Sequence, residues 1–267
     1  MLGAIAGDII GSRLEGEPAP PPGFVLFHPL CRFTDDSVCS LAVADALLSD
    51  RDYAASLRAF VRRHPRRGYG AMFRDWALVD GAPPYGSWGN GAPMRTAAVG
   101  WLEPDEATVL ASAAAQAAVS HDHPDAIAAA QAVALAIFLL RQGTPPRDVR
   151  DRIARQFGYD LNPATAFRRG GFDISAAGTV PPALAAAFET ADWETAVRTA
   201  IGLGGDTDTL ACIAGAAAEA IHGVPGDIAA AARMYLTGDL AALLRRFEEH
   251  RERLPGSSQR RPNDRIR

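Results

Sequence analysis

Apolar residues return every three to four positions along most of the chain. That spacing predicts helices over 2–11, 35–49, 52–63, 69–79, 91–101, 104–119, 124–141, 146–157, 181–189, 192–203, 207–222, 226–236 and 238–252. Alternating runs of Val, Ile and Thr never extend past a few residues, so strands are not expected. The pattern gives an all-α fold without internal repeats, a single compact helical bundle. Punctuation by Pro, Gly and Arg falls at 18–22, 81–91 and 168–178, which read as loops able to shape a pocket. The last stretch, PGSSQRRPNDRIR, is polar and basic, so the expected boundaries are one domain over 1–254 and a disordered tail over 255–267.

Composition sharpens this picture. Of the 267 residues 48% are hydrophobic but only 7% aromatic, because alanine, the best helix former and a close packer, dominates the apolar set. The net charge of -4 leaves no extended basic surface for nucleic acid. All 27 basic residues are arginine, and the absence of lysine excludes Schiff-base chemistry, a P-loop and a lysine base. Cys31, Cys39 and Cys212 are too few and too scattered for a disulfide framework or a zinc knuckle. The opening MLGAIAGDIIGS lacks a basic n-region and is interrupted by Asp8, and no run of eighteen apolar residues follows. The expectation is a cytoplasmic monomer without a membrane span.

Two acidic helix starts carry the chemistry. RFTDDSVCSLAVADALL opens with Thr34, a good N-cap, and places Asp35 and Asp36 in the first turn, where carboxylates suit the helix dipole. GLGGDTDTLACIAGAAAEA repeats the idea about 170 residues later, with two glycines ahead of Asp206, Thr207, Asp208 and Thr209 and a small-residue helix behind them. Taken singly, each is an ordinary capped helix. If the two starts face each other, four carboxylates converge, and their repulsion requires cations. Oxygen-only ligands select hard ions such as Mg²⁺ or Mn²⁺, two of which would balance the charge.

Weaker polar segments surround these motifs. AVSHDHP sets His121 and His123 between two alanine-rich helices, where capping or solvation is the ordinary role. YGSWGNGAPMR combines flexible residues with Trp88 and Asn90, a composition suited to cradling a phosphate while a ring stacks on a base. Glu15 follows the helix carrying Asp8, on a loop that could bring a carboxylate to the ions.

In order along the chain, GAIAGDIIGSRLE, FTDDS, GNGAPMR, SHDHP and GLGGDTDT together resemble the ADP-ribosylglycohydrolase family over roughly residues 1–222. The resemblance implies an orthogonal all-α bundle around a binuclear Mg²⁺ or Mn²⁺ centre, with ligands falling on Thr34, Asp35, Asp36, Asp206, Asp208 and Thr209. It also implies that Glu15 is the flexible carboxylate above the ions and that His121 lies near the ribose. Gly89, Asn90 and Gly91 match the loop contacting the substrate. Glu15, Asp36 and Asp208 are the expected catalytic residues. Two departures stand out: Ser37 where the family motif carries threonine, and a Pro-rich segment that leaves a short loop after Glu15. The expected reaction is release of ADP-ribose from a modified acceptor, arginine on protein first. The alternatives are ADP-ribosyl-serine, an ADP-ribosylated nucleobase, a metal-dependent phosphatase or other nucleoside-bond hydrolase, or a non-catalytic ADP-ribose-binding relative.

Overall fold

The computed structural model describes residues 1–168 and 172–254; the expected tail over 255–267 lies outside them. Among the described residues there are fourteen helices and no strand. In chain order they are α1 (Leu2–Gly11), α2 (Asp35–Leu47), α3 (Tyr53–Arg63), α4 (Ala71–Leu78), α5 (Ala97–Leu102), α6 (Glu106–Ala118) and α7 (Pro124–Arg141). There follow α8 (Pro146–Phe157), α9 (Pro163–Ala166), α10 (Ala176–Phe188), α11 (Trp193–Gly202), α12 (Thr207–His222), α13 (Gly226–Tyr235) and α14 (Gly238–Arg253).

At the centre lies α12, which packs against α1, α2, α7, α10 and α11. Its residues from Thr207 to Ala218 are all buried, as is every residue of α1. The two helices touch backbone to backbone. A Cβ built on Gly3 would lie 2.3 Å from the Gly215 carbonyl oxygen, one on Gly7 2.0 Å from that of Ala211, and one on Gly11 2.4 Å from that of Thr207. Small residues four apart therefore let the axes close to a distance no side chain would permit. The pairing is antiparallel, so the end of α1 meets the start of α12, where the Thr207 hydroxyl donates to the Gly11 carbonyl at 2.9 Å.

α7 has a mean hydropathy of 1.5 over 18 residues, enough by length and composition to cross a bilayer, although the sequence holds no unbroken apolar run of that length. Its side chains instead fill the interior between α5, α6, α8, α10 and α12.

Two expected helix starts shift, and one short helix is added. The helix placed at 181–189 begins at Ala176, because Ser175 caps it by accepting from the Gly178 N–H at 2.9 Å, and Pro181 and Pro182 ride inside it rather than starting it. The helix placed at 91–101 begins only at Ala97. Residues 90–95 form turns that send the Asn90 and Arg95 side chains inward, Asn90 to Asp206 and Arg95 to Gln116. The single turn α9, capped by Asn162, was not expected from periodicity because four residues are too short to show one.

Candidate metal centre

The two acidic starts do face each other. Thr34, the N-cap of α2, accepts from the Asp36 N–H at 3.3 Å, and Asp36 is buried just inside the helix. Asp206 is the N-cap of α12 but makes no side-chain capping bond, which leaves its carboxylate free to turn toward the site. Asp208 and Thr209 are buried in the first turn of that helix. The Thr209 hydroxyl reaches the Asp36 Oδ2 at 3.3 Å, which joins the two starts directly. Asp35 is half-buried, its N–H donating to the Arg67 carbonyl at 2.7 Å.

The cluster is larger than four carboxylates. Oxygens of Asp8, Asp36 and Asp208 lie within 4.8 Å of one another, and so do those of Glu15, Asp206 and Asp208. Asp208 belongs to both groups. Asp8, read from the sequence only as a charge in an apolar helix, is fully buried and has a different role. Its Oδ1 accepts from the Thr34 hydroxyl at 2.5 Å, and its Oδ2 from the Thr34 N–H at 3.0 Å, the Ser37 N–H at 3.1 Å and the Ser37 hydroxyl. With four hydrogen bonds on its carboxylate, Asp8 caps α2 from a neighbouring helix and holds Thr34 in place. The signal for it was present in the sequence: one aspartate within ten residues of otherwise apolar or glycine helix.

Asp36 is the opposite case. Its Oδ1 is buried without a hydrogen-bond partner. Its Oδ2 meets the Thr34 and Thr209 hydroxyls at 3.3 Å each, and the single Thr34 proton is already directed to Asp8 at the shorter distance. Oxygens gathered with too few protons between them are the arrangement a hard cation satisfies, so these residues fit a divalent ion of the Mg²⁺ or Mn²⁺ type. Electrostatics agree. Burial, and then the neighbouring aspartates, hold the Asp35, Asp36 and Asp208 carboxyls well above the ordinary carboxylate range.

The remaining expected site residues gather at the same mouth. Glu15 is exposed as a residue, and the Gly16 N–H bond to the Gly205 carbonyl at 2.9 Å holds its loop beside Asp206. Burial and then Asp206 raise its carboxyl, opposed by Arg32. Asn90 is buried, and its Nδ2 donates to the Asp206 Oδ2 at 2.6 Å and to the Thr179 hydroxyl at 3.1 Å. Its loop is fastened to the segment before α10 by the isolated Gly89–Ser175 bridge, which carries exposed Trp88 and Ile174 at the rim. Gly91 passes so close to His121 that a Cβ there would lie 2.8 Å from Nε2. His121 is buried beside the rings of Tyr85 and Phe73. His123, by contrast, caps α7 by accepting from the Asp125 N–H at 3.2 Å.

Comparison with known proteins follows this geometry. The family model described as ADP-ribosylglycohydrolase matches residues 1–256. A curated ADP-ribosylhydrolase, ARH3 of Danio rerio, is 26% identical over 302 aligned positions, covering 84% of this chain and 82% of that protein. A solved structure described as an ADP-ribosylglycohydrolase-related protein complex superposes with a TM-score of 0.70 at 25% identity, covering 94% of this chain and 97% of that one.

Proposed function

Because the chain belongs to the ADP-ribosylglycohydrolase family, we propose that it hydrolyses the glycosidic bond between ADP-ribose and a modified acceptor in a metal-dependent reaction. Two Mg²⁺ or Mn²⁺ ions would be held by Thr34, Asp35, Asp36, Asp206, Asp208 and Thr209. When bound, such ions lower the pKa of a water and fix ribose hydroxyls, so that position and charge stabilisation supply most of the rate. The observation that carries this reading is the buried Oδ1 of Asp36 without a hydrogen-bond partner, on a carboxylate grouped with those of Asp8 and Asp208.

Around that centre each side chain has a task. Glu15, at the open side, takes a proton from the attacking water or gives one to the leaving group; burial and then Asp206 raise its carboxyl above the ordinary carboxylate value, the direction that favours proton exchange. Asn90 keeps Asp206 turned inward through its 2.6 Å bond. Trp88, half exposed on the rim, offers a face for stacking on the base of ADP-ribose. Arginine is the first acceptor to test, because a carboxylate at the mouth can bind a planar guanidinium with two hydrogen bonds. Serine- and base-linked substrates complete the panel.

The test is release of ADP-ribose from that panel with Mg²⁺ and with chelator. Asp36→Ala and Asp208→Ala should each lower turnover by about 10³-fold or more, as expected when several kcal/mol of transition-state stabilisation is lost. Full activity of both variants in chelator would remove the metal mechanism.

A further inference from the structure

Behind the mouth, Arg95 is fully buried with no carboxylate partner among the described residues, and one of its terminal nitrogens has no hydrogen-bond partner. It is fixed instead by neutral groups. Its Nε donates to the Gln116 Oε1 at 2.7 Å, and one terminal nitrogen donates to the Gln116 carbonyl at 2.7 Å and to the Ser120 hydroxyl at 3.0 Å. Gln116 is held in turn, its amide nitrogen donating to the Ala92 carbonyl and the Thr96 hydroxyl.

The direction of the protons follows from this. A guanidinium can only donate, so the Ser120 oxygen accepts from Arg95. The Ser120 hydroxyl also meets Nδ1 of His121 at 2.8 Å, and Ser120 is fully buried. Were Nδ1 protonated, the serine would accept twice and its own proton would lie buried without an acceptor, a costly arrangement. The proton therefore runs from Ser120 to Nδ1, and a neutral ring must carry its hydrogen on Nε2.

We infer that Arg95 and Ser120 are positioning residues that lock His121 as a neutral ring with its proton on Nε2, presenting a permanent hydrogen-bond donor to an oxygen of the bound ligand. Nε2 has no hydrogen-bond partner among the described residues, and it faces the loop at Gly91, where only a glycine leaves room. Burial, and then the Arg95 charge, lower the readiness of His121 to take a second proton, so the ring stays a donor rather than an acid. The ligand group it selects is an oxygen with free lone pairs, a hydroxyl or a phosphate oxygen. That selection rests on the ADP-ribose reading above; the proton relay does not.

The experiment is nitrogen NMR of histidine-labelled protein, in which the two ring nitrogens report which one bears hydrogen. Wild-type protein should show protonated Nε2 and bare Nδ1. In Ser120→Ala that preference should be lost, and ADP-ribose should bind about three- to tenfold more weakly, the loss of one oriented hydrogen bond. Gly91→Ala, whose added Cβ would lie 2.8 Å from Nε2 and push the ring aside, should also weaken ADP-ribose. Protonated Nδ1 in the wild type, or unchanged ring signals in Ser120→Ala, overturns the relay. If Ser120→Ala does not fold, the wild-type spectrum alone decides. Failure of the hydrolase reading shows separately, as no ADP-ribose released by wild-type protein with Mg²⁺.

Discussion

At the scale of single residues, the centre is built by the contrast between carboxylates that are satisfied and those that are not. Asp8 accepts from Thr34 and Ser37 at both oxygens, whereas Asp36 keeps a buried oxygen bare. Asn90 stands between these extremes: its Nδ2 donates to the Asp206 Oδ2 at 2.6 Å, and a partner behind a metal ligand orients that ligand. Asn90→Ala should therefore weaken Mg²⁺ binding by about 10–100-fold, as outer partners of metal ligands do, measured by titration calorimetry. Unchanged Mg²⁺ affinity would move Asn90 from the metal side of the site to the ligand side. Glu15 is the test of proton transfer. Glu15→Gln should bind ADP-ribose as before while turnover falls by about 10²–10⁴-fold, the usual weight of a general acid or base. The paired aspartates were legible in the sequence as residue types at helix starts. Asp8 was visible only as an anomaly, because its partners Thr34 and Ser37 lie 26 and 29 positions away.

At the scale of elements, the approach of α1 to α12 decides the geometry of the site. The glycines of α1 are spaced to meet Thr207, Ala211 and Gly215, and their missing side chains let Asp8 and Glu15 arrive beside Asp208 and Asp206. Gly7→Ala places a methyl 2.0 Å from a backbone oxygen that no rotamer change can move. The substitution should cost about 1–3 kcal/mol of stability, with a melting-temperature fall of roughly 2–4 °C per kcal/mol, and should weaken Mg²⁺ binding in the same sample. Gly202→Ala on α11, where an added Cβ meets nothing, is the control and should melt no lower than wild type. Periodicity located these helices well where they are long and capped by sequence, as at 124–141 and 207–222. It misplaced the starts of α5 and α10, because in each case a side-chain hydrogen bond, from Asn90 to Asp206 and from Gly178 to Ser175, overrides the pattern of apolar residues.

At the scale of the whole molecule, the buried negative charge couples metal, protons and stability. Asp35, Asp36 and Asp208 hold their protons to higher pH in the folded, metal-free protein than in the unfolded chain, where the ordinary value is 3.8. The folded state thus binds more protons, and the contribution of these groups to stability is present below that value and lost as pH rises through their raised values. Metal-free protein should melt at lower temperature as pH is raised from about 4 toward neutrality on this account, and saturating Mg²⁺ should remove the decline, since the ions replace the protons. A melting temperature insensitive to Mg²⁺ at neutral pH would contradict the charge balance. The sequence by itself determined the helical class and the two acidic starts with their oxygen-only donors, because propensity, capping and donor type are properties of neighbouring residues. Only the tertiary structure decided that Asp8 caps α2, that Asn90 donates to Asp206, and that Arg95 and Ser120 stand in line behind His121. Each of those facts is a hydrogen bond between elements, and which oxygen is left without a proton is settled only once the helices have closed on one another.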